Sequence, residues 1–222
     1  MTATSATIER PDDRPKIPLA VKLAYSAFMA VMIPVYLWYY GPTNFLYFCD
    51  QALLFTLVGI WLESPLLLSI PAAGIFLPQM LWIADFVGTL FGAPLIGMTG
   101  YMFKSDTSLF LRGLSTFHGW LPLLLVYLVV KVGYDRRAFW FCATITTVTL
   151  LVCFFFMPPP RPDPGLTPVN INYVWGPDDQ AAQTFMGPYA WLALLLIGMP
   201  GVFVLPAHLA FRRLMPQAKP AS

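Results

Sequence analysis

Cys49, His118, Asp50 and Asp85 are the residues of this chain whose types suit a reaction. A thiol attacks a carbonyl carbon as its thiolate, so Cys49 needs a base, and a neutral imidazole such as His118 supplies one. A carboxylate from Asp50 or Asp85 would hold that imidazole in the required tautomer, which is the thiol form of the Ser-His-Asp arrangement. Arg112, or the donors of the Asn170–Asn172 stretch, would stabilise an oxyanion or grip a phosphate. Tyr47, Asp50 and Gln51 share one helical stripe with Cys49 at its edge, which makes Gln51 a further candidate substrate contact. Packing accounts for each residue singly: an Asp50 or Asp85 pair with Arg112 can be structural, and polar side chains glue membrane helices together. Packing accounts less well for four segments that all send polar groups to the same half of the chain's spans. Metal chemistry does not fit, because His118 and His208 fall on opposite sides of the membrane and no Cys/His ligand spacing is present. No phosphate-cradling glycine loop, dinucleotide fingerprint or haem-attachment motif implies a cofactor.

These residues must be positioned by membrane helices. The chain is 58% hydrophobic and 11% charged with a mean hydropathy of +0.66, more apolar surface than a soluble domain of 222 residues can bury. The net charge of +2 includes no basic stripe, so nucleic acid is excluded as a partner and the bilayer takes its place. An all-α bundle of six spans is expected: Pro18 to Tyr40, Asn44 to Leu62, Pro65 to Gly88, Ser108 to Val130, Arg137 to Met157 and Gly187 to Phe211. Residues 1–17 and 212–222 read as tails flanking one membrane domain over 18–211, with a long outer loop over 158–186. The first apolar stretch is long and lacks a small-residue cleavage site, so it reads as a span rather than a secretory signal. Phe91 to Phe103 is too short and glycine-rich to cross and reads as interfacial or re-entrant. No internal repeat is present, which disfavours a repeat-built transporter.

The basic residues set the orientation. With both termini inside, the cytoplasmic face receives Arg10, Arg14, Lys16, Lys22, Lys131, Arg136, Arg137, Arg212, Arg213 and Lys219, and the outer face only Lys104, Arg112 and Arg161. Cys49, Asp50, Gln51, Asp85, Arg112 and His118 then fall in the outer half, and the loop carrying Asn170, Asn172 and Tyr173 lies on that side. The run Met157-Pro-Pro-Pro-Arg-Pro-Asp-Pro must end the fifth span and is expected to be extended and loose, whereas Asn170 to Gly176 alternates polar and apolar groups as a lid over a pocket mouth would. Three cysteines give no disulfide framework, although Cys49 and Cys153 share the outer side.

Several short motifs occur in a familiar order. Cys49 opens the second span, His118-Gly119 precedes a leucine-rich helix, Asn170-Ile-Asn172-Tyr173 precedes the sixth span, and Gly187-Pro188-Tyr189-Ala-Trp191 begins it. Together they resemble the bacterial YwaF-type integral membrane proteins, a six-span family with distant eukaryotic relatives that act on lipids. Those relatives include acyltransferases with a Cys nucleophile paired with a His, and hydrolases of fatty-acid esters. The resemblance runs from about residue 44 to 211. It implies that Cys49 is the nucleophile, that His118 is the base, and that Asn172 and Tyr173 line the pocket. Tyr47 stands where bacterial members commonly carry a His two residues before the Cys.

Three functions fit these residues. The first is a lipid acyl-transfer or ester-hydrolysis enzyme in a bacterial-type plasma membrane, acting on a membrane lipid near the outer leaflet. The others are a transporter of protons or small solutes, and a non-catalytic membrane subunit. Transport needs access from both faces, and the inner half of the bundle is almost purely apolar, which favours the enzyme. Reporter fusions at Gln217 and Gly165 test the orientation: the first is expected to report cytoplasm and the second the outer compartment, and a cytoplasmic signal at Gly165 overturns it.

Overall fold

The computed structural model describes residues 16–104 and 108–218. Most of the N-terminal tail and the end of the C-terminal tail, with Arg10, Arg14 and Lys219, lie outside the described residues. The fold is an all-α bundle, with a single bridge between Tyr134 and Gln217 as the one β-type pairing among the described residues. The helices are α1 Leu19–Tyr39, α2 Phe48–Leu62, α3 Pro65–Leu90, α4 Leu109–Ser115, α5 Phe117–Val132, α6 Ala138–Phe156, α7 Pro188–Gly198 and α8 Leu205–Leu214. α4 and α5 form one pass, broken where Thr116 turns its hydroxyl to the Gly113 carbonyl (2.6 Å). α7 and α8 form another, joined by a π-helical turn over Met199–Val204 where Pro200 removes an amide from the ladder.

Among the described residues five passes are long and apolar enough to cross a membrane, and α2 is a shorter apolar helix. The chain is thus a multi-pass membrane protein. The expected second span from Asn44 starts instead at Phe48, because Gly41 (φ 79°) and Pro42 open a 3-10 turn over Pro42–Leu46 and Tyr47 is extended. At 15 residues α2 is about 22 Å long, shorter than the roughly 30 Å hydrocarbon core. Glu63, left-handed at φ 48°, stops α2, and the Ser64 hydroxyl accepts from the Leu67 amide (3.3 Å) to start α3. The two-residue turn makes α2 and α3 antiparallel neighbours. They pack so closely that a Cβ at Gly59 would lie 2.8 Å from Leu68. α3 is the axial helix, packed against α2, α5, α6 and α8.

The end assigned inside is closed by polar ties. Glu63 accepts from Lys22 Nζ (2.7 Å) and from the amides of Lys16 (2.8 Å) and Ile17 (3.2 Å), which fastens the start of α1 to the α2–α3 turn. Tyr134 Oη meets the buried His208 Nδ1 (2.7 Å), and the Ser69 hydroxyl accepts from the Asp135 amide (2.9 Å). Between these ties and the opposite end lies the apolar core, with Leu53, Ile60, Leu68, Leu121, Leu125 and Leu128 fully buried.

Burial alone would raise the Glu63 pKa, but the hydrogen bonds from Lys22, Lys16 and Ile17 outweigh it and hold the group below its ordinary 4.5. A lowered folded-state pKa adds stability above the unfolded value and loses it as pH falls through the folded value. Thermal unfolding in detergent is therefore expected to place Glu63→Gln a few degrees below wild type at neutral pH, with the difference closing below about pH 4.5. A gap that persists at low pH would contradict this assignment.

Candidate functional site

α2 is short, and the irregular outer segments roof its outer end. Their backbone amides lack helical partners in an apolar setting and must find acceptors. Asp85, fully buried near the outer end of α3, supplies them to the 91–103 segment. Its Oδ1 accepts from the amides of Ile96 (2.7 Å) and Gly97 (2.9 Å), and its Oδ2 from the Thr99 amide (2.9 Å) and hydroxyl (2.7 Å). The 170–175 segment is held likewise. Asn170, left-handed at φ 47°, accepts from the Trp175 amide (2.8 Å) and donates to the Gly176 carbonyl (2.8 Å) and the Asp178 carbonyl (3.0 Å). Asn172, at φ 58°, reaches across to α2. Its Oδ1 accepts from the Phe48 amide (3.2 Å), and its Nδ2 donates to the Leu46 carbonyl (2.8 Å) and towards Cys153 Sγ (3.6 Å). Tyr47 gives α2 no side-chain cap, so Asn172 provides one from 124 residues away.

These contacts redistribute the expected roles. Asp85 was expected to steady His118, but both its oxygens are occupied by the roof and it forms no hydrogen bond with the imidazole. The amide donors of Asn170 and Asn172 were expected to meet substrate, but they are spent on protein groups. Arg112 turns to the same roof, its Nη1 donating to the Met102 carbonyl (3.2 Å), and among the described residues neither Asp50 nor Asp85 pairs with it. Gln51 bridges α2 to α6, donating to Thr149 Oγ1 (3.0 Å) and the Leu46 carbonyl (3.3 Å). Tyr173 is 38% exposed as a residue, yet its hydroxyl is desolvated. That burial, helped by Asp179, Cys49 and Asp85, pushes its pKa up to about 12. The proline-rich half of the loop is tied rather than loose, with Arg161 donating to the Asp179 carbonyl (3.1 Å) and Asn170 to that of Pro158 (3.0 Å).

Beneath the roof the remaining candidates gather. His118 Nδ1 meets the Ser115 carbonyl (2.9 Å), so this nitrogen carries the proton and Nε2 keeps its lone pair. The ring is stacked on Trp82 (4.9 Å between centroids) and lies beside Phe117 (4.1 Å). Ser115 Oγ pairs with Tyr36 Oη (3.2 Å). Tyr101, folded inward by the segment that Asp85 holds, links the parts: burial pushes its phenol pKa up, Cys49 adds to the shift, and Trp82 and Ser115 oppose it. Tyr101 thus stands between the two groups: it interacts with the Cys49 thiol on one side and, on the other, with Trp82 and Ser115, which contact His118, and no hydrogen bond joins Cys49 to His118. Their depths agree to about one turn. From the α2–α3 turn, Cys49 is about 20 Å up α2, and Trp82, stacked on His118, is about 25 Å up α3. Asp50 is buried on the same turn of α2 as Cys49; its Oδ2 accepts from Asn44 Nδ2 (2.7 Å).

Tyr36, Gln79, Trp82, Tyr101 and Ser115 belong to this cluster and were not among the sequence candidates. A signal did exist for part of it: Gln79, Trp82 and Asp85 recur at every third position and so share one face of α3. Three buried polar atoms of the cluster have no partner, namely Asp50 Oδ1, Gln79 Oε1 and Trp82 Nε1. The three cysteines are free, and no group of three or more His, Cys, Asp or Glu suited to a metal occurs among the described residues.

Compared with known proteins, the chain matches no family model, no curated sequence and no solved structure.

The Asn172 cap is directly testable. Asn172→Ala leaves the Phe48 amide and the Leu46 carbonyl unpaired and is expected to cost about 1–3 kcal/mol, read as a lower unfolding temperature in detergent. Proteolysis of the 158–186 loop should accelerate alongside it. Unchanged stability and cleavage would show that the contact holds nothing.

Proposed function

We propose that this protein is a membrane-embedded enzyme of the bacterial YwaF type that transfers or hydrolyses lipid acyl groups at the outer leaflet of the plasma membrane. Cys49 is the nucleophile and His118 its base. The observation that carries the reading is the state of His118: Ser115 fixes the Nδ1 proton, and Nε2 is left as an unengaged acceptor in the same cluster as the thiol. In the reaction the Cys49 proton passes to Nε2 and the thiolate forms a C–S bond with the ester carbonyl carbon. The C–O bond then breaks, and the departing alkoxide takes the proton back from the imidazolium. The thioester is discharged by a lipid hydroxyl or by water, with His118 again as base. Asp85, Asn170, Asn172 and Arg112 act one step removed, by holding the roof over the outer end of the bundle. A narrow, mostly apolar cleft between α2, α3 and α6, bordered by Phe48, Gln51, Phe55, Gly74 and Cys142, starts at Phe48, the residue before Cys49, and offers an apolar wall to a hydrocarbon tail.

The transporter reading retains one observation in its favour, the buried Asp50 oxygen without a partner. Labelling separates the two. In a protein carrying Cys142→Ala and Cys153→Ala, a fluorescent long-chain acyl thioester is expected to acylate Cys49, and Cys49→Ala should abolish the label. His118→Ala should slow it by about 10²–10⁴-fold. A label that survives Cys49→Ala, or no label at all in the parent, leaves the cluster to solute binding or helix packing.

A further inference from the structure

Resting on the acyl-transfer reading, we propose that the indole N–H of Trp82 is the oxyanion donor of this site, binding the carbonyl oxygen of the acyl group while Cys49 attacks. The first argument is an unmet bond. Trp82 is 6% exposed and its Nε1 has no hydrogen-bond acceptor. A buried N–H left bare loses its hydration without replacement, and in a well-packed bundle such a group needs an explanation. The Tyr101 phenol is the polar group next to this N–H and leans towards it, but the pair does not reach hydrogen-bond geometry, so a carbonyl oxygen entering here would compete with the phenol for the donor.

The second argument is rigidity. Stabilising a developing oxyanion works when the donor is already aimed and needs no reorganisation during the reaction. The Trp82 ring is clamped between two partners, stacked on Phe86 (5.2 Å, 8° between planes) and on His118 (4.9 Å, 24°). The same stack fixes the base relative to the donor, so the two groups that must act on one carbonyl are held as a unit. The third argument is elimination. The expected donors are committed elsewhere: Asn170 and Asn172 bind loop and helix backbone, and Arg112 is turned to Met102. One turn inward on the same face of α3, Gln79 Oε1, 2% exposed for the residue, is likewise without a partner.

The electron count is simple. The thiolate lone pair becomes the new C–S bond, the carbonyl π pair moves onto oxygen, and that oxygen accepts the Trp82 N–H until collapse restores the double bond. No co-reactant is needed.

Two reactions of Cys49 separate this role from a structural one. Acylation by a long-chain thioester passes through an oxyanion, whereas alkylation by a long-chain iodoacetamide displaces iodide and forms none. Both need the thiolate. In the protein with Cys142→Ala and Cys153→Ala, Trp82→Phe is expected to slow acylation by about 10²–10³-fold while alkylation stays within a few-fold of the parent. Replacing Trp82 with its benzothiophene analogue, which keeps the bicyclic ring without the N–H, should give the same split if Trp82→Phe folds poorly. Equal loss in both reactions would make Trp82 a packing residue, and unchanged acylation would remove it from the chemistry. If the parent itself is never acylated, the acyl-transfer reading falls first and this inference with it.

Discussion

Backbone amides that leave a helix inside or near hydrocarbon have no water to bond, and the outer end of this bundle depends on how that demand is met. Asp85 meets it for the 91–103 segment by gathering three amides and a hydroxyl onto one carboxylate. Asn172 meets it for α2 by reaching over from the last loop to the Phe48 amide. Both side chains are ones that a search for catalytic groups would select, since carboxylates and amides are rare in membrane helices and costly there. Their cost is offset by the backbone they satisfy, and those bonds occupy both oxygens of Asp85 and the amide of Asn172.

The build of the outer end follows from the same contacts. α2 begins late because the chain before it is a 3-10 turn and its cap comes from a distant loop, so the helix is shorter than the hydrocarbon core. The segments over its outer end are organised by Asp85, Asn170 and Asn172, and they carry Tyr101 and Tyr173. Three non-glycine residues of one short stretch, Asn170, Asn172 and Tyr173, are left-handed. Such backbone persists where surrounding contacts over-determine it, which is what the Trp175, Trp191 and α2 bonds do here.

The two ends of the bundle use polarity differently. Inside, Glu63 with Lys22 and Tyr134 with His208 close the structure with satisfied pairs. Outside, the cluster around Cys49 leaves Asp50 Oδ1, Gln79 Oε1 and Trp82 Nε1 unpaired. Unmet polar groups at one end, beyond an apolar middle, are the asymmetry on which the proposed one-sided site rests.

Much of this was legible in the chain. Hydropathy alone separates the passes, since each apolar window long enough to cross must lie in lipid, and Ser64-Pro65 and Gly187-Pro188 mark helix starts because proline suits the first turn. Cys49 and His118 are visible along the chain as a thiol and an imidazole that fall towards the same end of the passes. The start of α2 was not legible, because its cap lies 124 residues away and local sequence favours a helix from Asn44. Nor were the tasks of Asp85, Asn170 and Asn172, since a residue type states what a group can bond and only the fold states what stands opposite it. Trp82 and Tyr101 read as apolar filling along the chain. Their polar ends acquire meaning once α3, α4 and the 91–103 segment are packed together, because an unpaired donor is a property of an enclosure and not of a sequence.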